Sequence, residues 1–185
     1  EDAVLDRYGK GAQAREAALC CPISFDPKYL DVLPEEILER DYGCGDPSRY
    51  VQPGDVVLDL GSGGGKICYM AAQLTGAGGR VIGVDMNDDM LALARKYQLD
   101  MAARLGSDRV RFVKGYIQDL ALDIDALGHY LAANPVRQPA DYSALRAWEQ
   151  RQRREAPLIP DASVDLVISN CVLNLVADSE KQQLV

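Results

Sequence analysis

An α/β chain built on a doubly wound, Rossmann-like parallel sheet is predicted by three features of the sequence. Short apolar runs alternate with stretches of helical period. The first run, Asp55 to Leu60, leads into the glycine turn Gly61-Ser62-Gly63-Gly64-Gly65, and Asp85 closes the next run one βα unit later. Sheets of this kind bind ligands at the carboxyl ends of their strands.

The residues from Tyr8 to about Arg40 are polar and mixed, which predicts short helical pieces with Pro22, Pro27 and Pro34 setting turns or helix starts. Residues 1–50 are expected to form an N-terminal cap segment, and 51–185 the Rossmann-like domain. Asp55 to Leu60 reads as the first strand. After the glycines, Ile67, Met70, Ala71 and Leu74 fall on one face of a helix. Gly76 to Gly79 end that helix, and Val81 to Val84 make a second buried strand. Asn87 is placed to cap the next helix, with Asp88 and Asp89 in its first turn and Met90, Ala94, Tyr97 and Met101 on its inner face. Arg109 to Lys114 alternates as a third strand, and Val164 to Ser169 is the fourth.

Between the third and fourth strands lie about forty residues, Leu120 to Asp161, where a few are usual. A helical insertion over about 121–160 is expected. Its two helices would run from Asp123 to Ala133 and from Tyr142 to Arg154, parted by Asn134-Pro135 and Pro139, and would stand beside the site. Arg146, Arg151, Arg153 and Arg154 read as a solvated helix face, Trp148 as packing, and His129 as a non-catalytic residue.

A chain of 185 residues with 48% hydrophobic content can build one sizeable core. Its formal charge of −8 argues against nucleic acid, whose binders present basic surfaces. No apolar run approaches the ~18 residues of a membrane span, and the first residues lack the basic-then-apolar order of a signal peptide. A cytoplasmic protein is expected. Five cysteines, an odd number, suit free or working thiols better than a disulfide framework.

The glycine turn narrows the ligand. Glycines let a ligand approach backbone N–H groups at a helix N-terminus, and an acid ending the next strand can accept hydrogen bonds from both ribose hydroxyls. The ligand is therefore expected to contain adenosine. A dinucleotide fingerprint needs a glycine or alanine at the position that Lys66 occupies. The pattern here is instead D-x-G-x-G-x-G, in which Asp59 can organise the turn and face a cationic amino-acid end. S-adenosylmethionine has such an end.

On these residues the chain resembles the class I S-adenosylmethionine-dependent methyltransferases over roughly 50–175. Their sheet has seven strands, so the four readable here imply C-terminal strands missing from this chain. The resemblance narrows further at Tyr8-Gly9 followed by Cys20-Cys21-Pro22, at Asp41-Tyr42-Gly43-Cys44-Gly45, and at Ser169-Asn170-Cys171-Val172-Leu173-Asn174-Leu175. With Gly83-Val84-Asp85-Met86 and Lys114-Gly115-Tyr116-Ile117, these segments are similar to arsenite methyltransferases. Lys66-Ile67 departs from the Arg-Asp that the family carries after its glycines.

The resemblance implies a trivalent arsenic substrate, a thiol reductant as partner, and arsenic detoxification as the setting. Cys44 and Cys171 would hold arsenic, and Cys20 or Cys21 would take part in a disulfide relay. Soft thiolates select a soft centre, and stripping hydroxyls from arsenic leaves its lone pair free to attack a methyl group. For the donor, Asp59, Gly61, Ser62, Gly63 and Gly65 are expected at the methionine end, Asp85 at the ribose and Met86 on one adenine face. Ile117 and Gln118 are assigned to the adenine edge. Tyr42 and Gly43 would close over the methionine part, and Asn170 would line the methyl path. Cys68, inside the helix after the glycines, is expected in the core. The alternatives are a methyltransferase for a small organic acceptor and a non-catalytic donor-binding module.

Overall fold

A computed structural model describes residues 2–13, 25–43 and 45–172, without the side chains of 2–7. Its centre is a four-stranded parallel sheet of order β3-β2-β1-β4, with β1 Val56–Leu60, β2 Arg80–Asp85, β3 Val110–Lys114 and β4 Leu166–Ser169. Leu60 lies opposite both Val84 and Ser169, and Asp85 opposite Lys114, so the strands end level at one edge. The strand order turns outward in opposite directions on either side of β1. This leaves a crevice between the carboxyl ends of β1 and β4, where such folds bind ligands.

Alternation along β1 divides the core. Val57 packs with Val81, Val110, Phe112 and Ile168 on the face covered by the helix Lys66–Thr75. Leu58 and Leu60 pack with Ile82, Val84, Val113, Ile117, Leu158 and Ile159 on the other. Period two therefore puts Asp59 on Val57's face, beneath that helix.

The described helices are α1 Asp2–Gln13, α2 Pro27–Leu30, α3 Glu35–Glu39, α4 Lys66–Thr75, α5 Asp88–Lys96, α6 Gln98–Leu105, α7 Ile124–Ala133 and α8 Pro139–Glu155. Pro27 starts α2 and Pro34 caps α3, while Pro22 lies outside the described residues. Asn87 caps α5 by accepting hydrogen bonds from the backbone N–H groups of Asp89 (3.0 Å) and Met90 (3.1 Å).

One helix expected from Asn87 through Met101 is two. Tyr97 leaves helical geometry (φ −102°, ψ 2°), ending α5 and starting α6. The cause is tertiary: the Tyr97 hydroxyl and the Lys96 ammonium both bind the Glu36 carboxylate of α3, and the bend still buries Met101 completely. In the insertion, Asp123 caps α7 by accepting from Ala126 N–H at 2.9 Å, and Pro139 begins α8. Trp148 stacks on Tyr130 at 4.6 Å between ring centroids. Arg153 pairs with Asp119 at 2.8 Å, His129 is exposed, and Cys68 is fully buried.

Candidate active site

The turn after β1 leans on the neighbouring strand, since Gly61 and Ser62 donate their backbone N–H groups to Val84 O at 2.8 and 3.0 Å. Gly61, Gly63 and Gly65 all have positive φ, at +74°, +52° and +87°. Their surroundings differ. A Cβ on Gly61 would stand 2.2 Å from Val172 Cγ2, whereas a Cβ on Gly63 would meet nothing within 4 Å. Gly61→Ala is thus expected to cost about 3 kcal/mol, combining left-handed strain with overpacking, and Gly63→Ala only about 1 kcal/mol from strain alone. Urea denaturation of the two variants reads the difference. Equal losses would contradict the packing of Val172 on the turn.

Asp85 ends β2 and holds the same turn. Its Oδ2 accepts from Gly63 N–H at 2.8 Å and its Oδ1 from Asn87 N–H at 2.9 Å. Burial pushes its carboxyl pKa upward, against the lowering effect of the Asn87, Gly63 and Met86 N–H groups. Each oxygen keeps a further lone pair that can accept a hydroxyl. Met86 follows, half-buried. Past β3, Tyr116 and Asp119 bridge a short turn that carries Ile117 and half-buried Gln118. The Ile117 side chain is buried in the second core cluster, so a ligand would meet this residue through its backbone.

Asp59 lies closed in under the turn, not at its open mouth. It is 2% exposed, and its Oδ2 accepts a hydrogen bond from the Cys68 thiol at 3.3 Å. Oδ1 and the Ser62 hydroxyl are buried with no partner among the described residues. Burial raises the Asp59 pKa to about 7; the Cys68 hydrogen bond opposes the shift, and the charges of Asp85 and Asp41 add to it.

The chain preceding the sheet reaches the same edge. Tyr42 donates its hydroxyl to Gly11 O of α1 at 2.9 Å, and its ring meets Tyr8 edge-on. Asp41 accepts from Lys66 Nζ at 2.7 Å, and that ammonium stands 3.4 Å from the Phe25 ring centroid. Asn170, just past β4, donates through Nδ2 to Gly45 O at 2.8 Å. A Cβ on Gly43 would lie 2.3 Å from the same Nδ2. The next residue, Cys171, adopts φ +61° and sets its Sγ 3.5 Å from Asn170 Oδ1. The two residues flanking Cys44 are therefore packed on the neighbour of Cys171. Cys44, Cys20, Cys21 and Leu173-Asn174-Leu175 lie outside the described residues. Among the described residues no three histidine, cysteine or acidic side chains gather as a metal cluster.

Sequence reasoning missed two contacts. Lys66 opens α4, where the helix dipole disfavours a cation; that mismatch was the available signal for a carboxylate partner. The Cys68–Asp59 contact had no such signal.

Residues 52–139 match the model of a methyltransferase domain. The chain is 34% identical over 97% of its length to the arsenite methyltransferase of Aquipseudomonas alcaligenes, covering 44% of that protein. Residues 52–139 thus carry a methyltransferase domain on a parallel sheet with the class I methyltransferase fold. The human arsenite methyltransferase is 33% identical over 82% of this chain, which covers 31% of the human protein. An arsenic(III) S-adenosylmethionine methyltransferase from Chlamydomonas reinhardtii, known from its crystal structure, superposes with a TM-score of 0.59 at 31% identity, covering 85% of this chain and 42% of that one. The chain thus spans less than half the length of these relatives. Among its described residues no helix is long and apolar enough to cross a membrane.

Proposed function

We propose that this chain binds S-adenosylmethionine at the carboxyl edge of its sheet and serves an enzyme that methylates trivalent arsenic held by cysteine thiolates. The single observation that carries the reading is the meeting at Asn170. This residue ties the Gly43 and Gly45 flanks of Cys44 to Cys171, while the next residue, Val172, packs on Gly61 of the donor turn. The flanks of Cys44, the Cys171 thiol and the glycine turn therefore share one edge, which suits transfer between a thiol-held acceptor and the donor's methyl group.

The chain's own residues fit the donor. Gly63 offers an approach that no side chain blocks, and Asp85 has lone pairs for the ribose hydroxyls. The carboxylate of Asp59 lies under the turn and, once ionised, complements a cationic amino-acid end. The donor supplies a methyl group carried on positively charged sulfur. Cys44 and Cys171 hold the arsenic, Cys20 or Cys21 exchanges with a thiol reductant, Met86 and the 117–118 turn frame the adenine, and Tyr42, Gly43 and Asn170 line the methyl path. Residues 1–50 cap the edge and the 121–160 insertion flanks it. Working thiolates require a reducing compartment such as the cytoplasm, and arsenic detoxification is the matching role.

Incubation with methyl-labelled donor, arsenite and a thiol reductant tests the proposal, together with mass spectrometry of the arsenite-loaded chain. One arsenic held by at least two thiols, and label recovered on arsenic, are expected. Label transferred to an organic acceptor but never to arsenic would overturn the substrate, and donor binding without any turnover would leave a binding module.

A further inference from the structure

The two partnerless polar atoms beneath the glycine turn, Asp59 Oδ1 and Ser62 Oγ, belong to one compartment. Asp59 pairs with Gly83 on β2. A Cβ on Gly83 would stand 2.8 Å from both Cys68 Sγ and Ser62 Cβ, so the absence of a side chain there is what lets the thiol and the turn meet. Within this compartment the Cys68 thiol, fully buried, donates to Asp59 Oδ2 at 3.3 Å. Burial and the nearby Asp59 charge push the thiol pKa up, so Cys68 stays a protonated donor.

We propose that Cys68 is a positioning residue for the donor site: its thiol fixes the Asp59 carboxylate beneath the glycine turn, where the carboxylate's charge faces the cationic amino-acid end of the bound donor. The inference rests on the donor reading above. A sealed carboxylate acts across a low dielectric, so its ionisation state strongly affects a cation on the other side of the turn. The charged and titratable groups facing Asp59 are Cys68 from α4, Asp85 at the end of β2, and Asp41 from the segment after α3, itself paired with Lys66. The β4 side presents Ile168. Of these groups only the Cys68 thiol favours the ionised form.

Calorimetric titration of S-adenosylmethionine from pH 6 to 9 tests this on the whole chain. Wild-type affinity is expected to weaken as pH falls through about 7 and Asp59 takes up a proton. Cys68→Ala should move that midpoint upward and weaken binding at pH 7 by about fivefold, for a shift of one pKa unit from about 7. Cys68→Ser, which retains a donor, should bring the midpoint back. A purely structural cysteine would lower the melting temperature in Cys68→Ala and leave the midpoint where it was, which would overturn the proposal. Should Cys68→Ala not fold, the wild type and Cys68→Ser carry the test through buffers of different ionisation enthalpy. A proton released on binding near pH 7 supports the proposal, and none released overturns it. Wild-type protein that binds no donor at any pH refutes the donor reading itself, an outcome distinct from an unmoved midpoint.

Discussion

Replacement of Asp85 by alanine is expected to weaken binding of S-adenosylmethionine by about 100-fold or more. Two losses combine. The two ribose hydroxyls lose a charged acceptor, each such bond contributing about 1.5 kcal/mol or more, and about 1.4 kcal/mol is a factor of ten in affinity. The glycine turn also loses its clamp, because Gly63 N–H and Asn87 N–H both donate to this carboxylate. Asp85→Asn keeps an acceptor oxygen for Gly63 and is expected to lose only about tenfold, as the difference between a charged and a neutral acceptor implies. Folding stability should change little in either variant. Burial raises the Asp85 pKa, so its ionised form is held in the folded state at a cost that the substitutions remove. Unchanged donor affinity in Asp85→Ala, measured by calorimetry, would remove the ribose assignment.

The same sign holds for Asp59. A carboxyl that binds its proton more tightly folded than unfolded contributes less stability as pH rises from its ordinary 3.8 toward about 7. The fold accepts that loss at neutral pH. The cationic end of the proposed donor, placed across the turn, would offset it.

The four strands were legible because each is a short apolar run bounded by turn residues, and the carboxyl edge followed from the βα alternation. Val81–Val84 and Arg109–Lys114 fall within a residue or two of β2 and β3. Less local features were hidden. Nothing in the periodicity of 87–101 signals a break at Tyr97, because the cause is Glu36, 61 residues away in sequence. The burial of Asp59 was masked because β1 is apolar on both faces, so alternation alone does not say which partner covers the carboxylate. The contact from Asn170 to Gly45 joins residues 125 apart and depends on β4 lying beside β1, a neighbour relation that strand spacing alone leaves open. Motif spacing pointed to the candidate residues, and tertiary contacts decide how they are held.

Cys171→Ser is the substitution expected to separate acceptor from donor. Serine has nearly the same volume and meets the same left-handed backbone demand at φ +61°, so the fold and the packing of Val172 on Gly61 should persist. Donor affinity is accordingly expected to stay within about twofold, as for a substitution that leaves the donor's contacts in place. The chemistry of the acceptor changes completely. A hydroxyl is a hard ligand that stays protonated at neutral pH, whereas the thiolate is soft and matches trivalent arsenic. With one of the two proposed anchoring thiols gone, arsenic would no longer be held at a fixed distance from the donor, and a misplacement of about 1 Å already costs about 100-fold in rate. Methylation of arsenite should therefore fall at least that far, and mass spectrometry should find arsenic lost or held by fewer thiols. Retained turnover in Cys171→Ser, with donor binding intact, would show that the thiol beside Asn170 does not carry the acceptor, and the meeting of Gly43, Gly45 and Asn170 would then be a purely structural clasp.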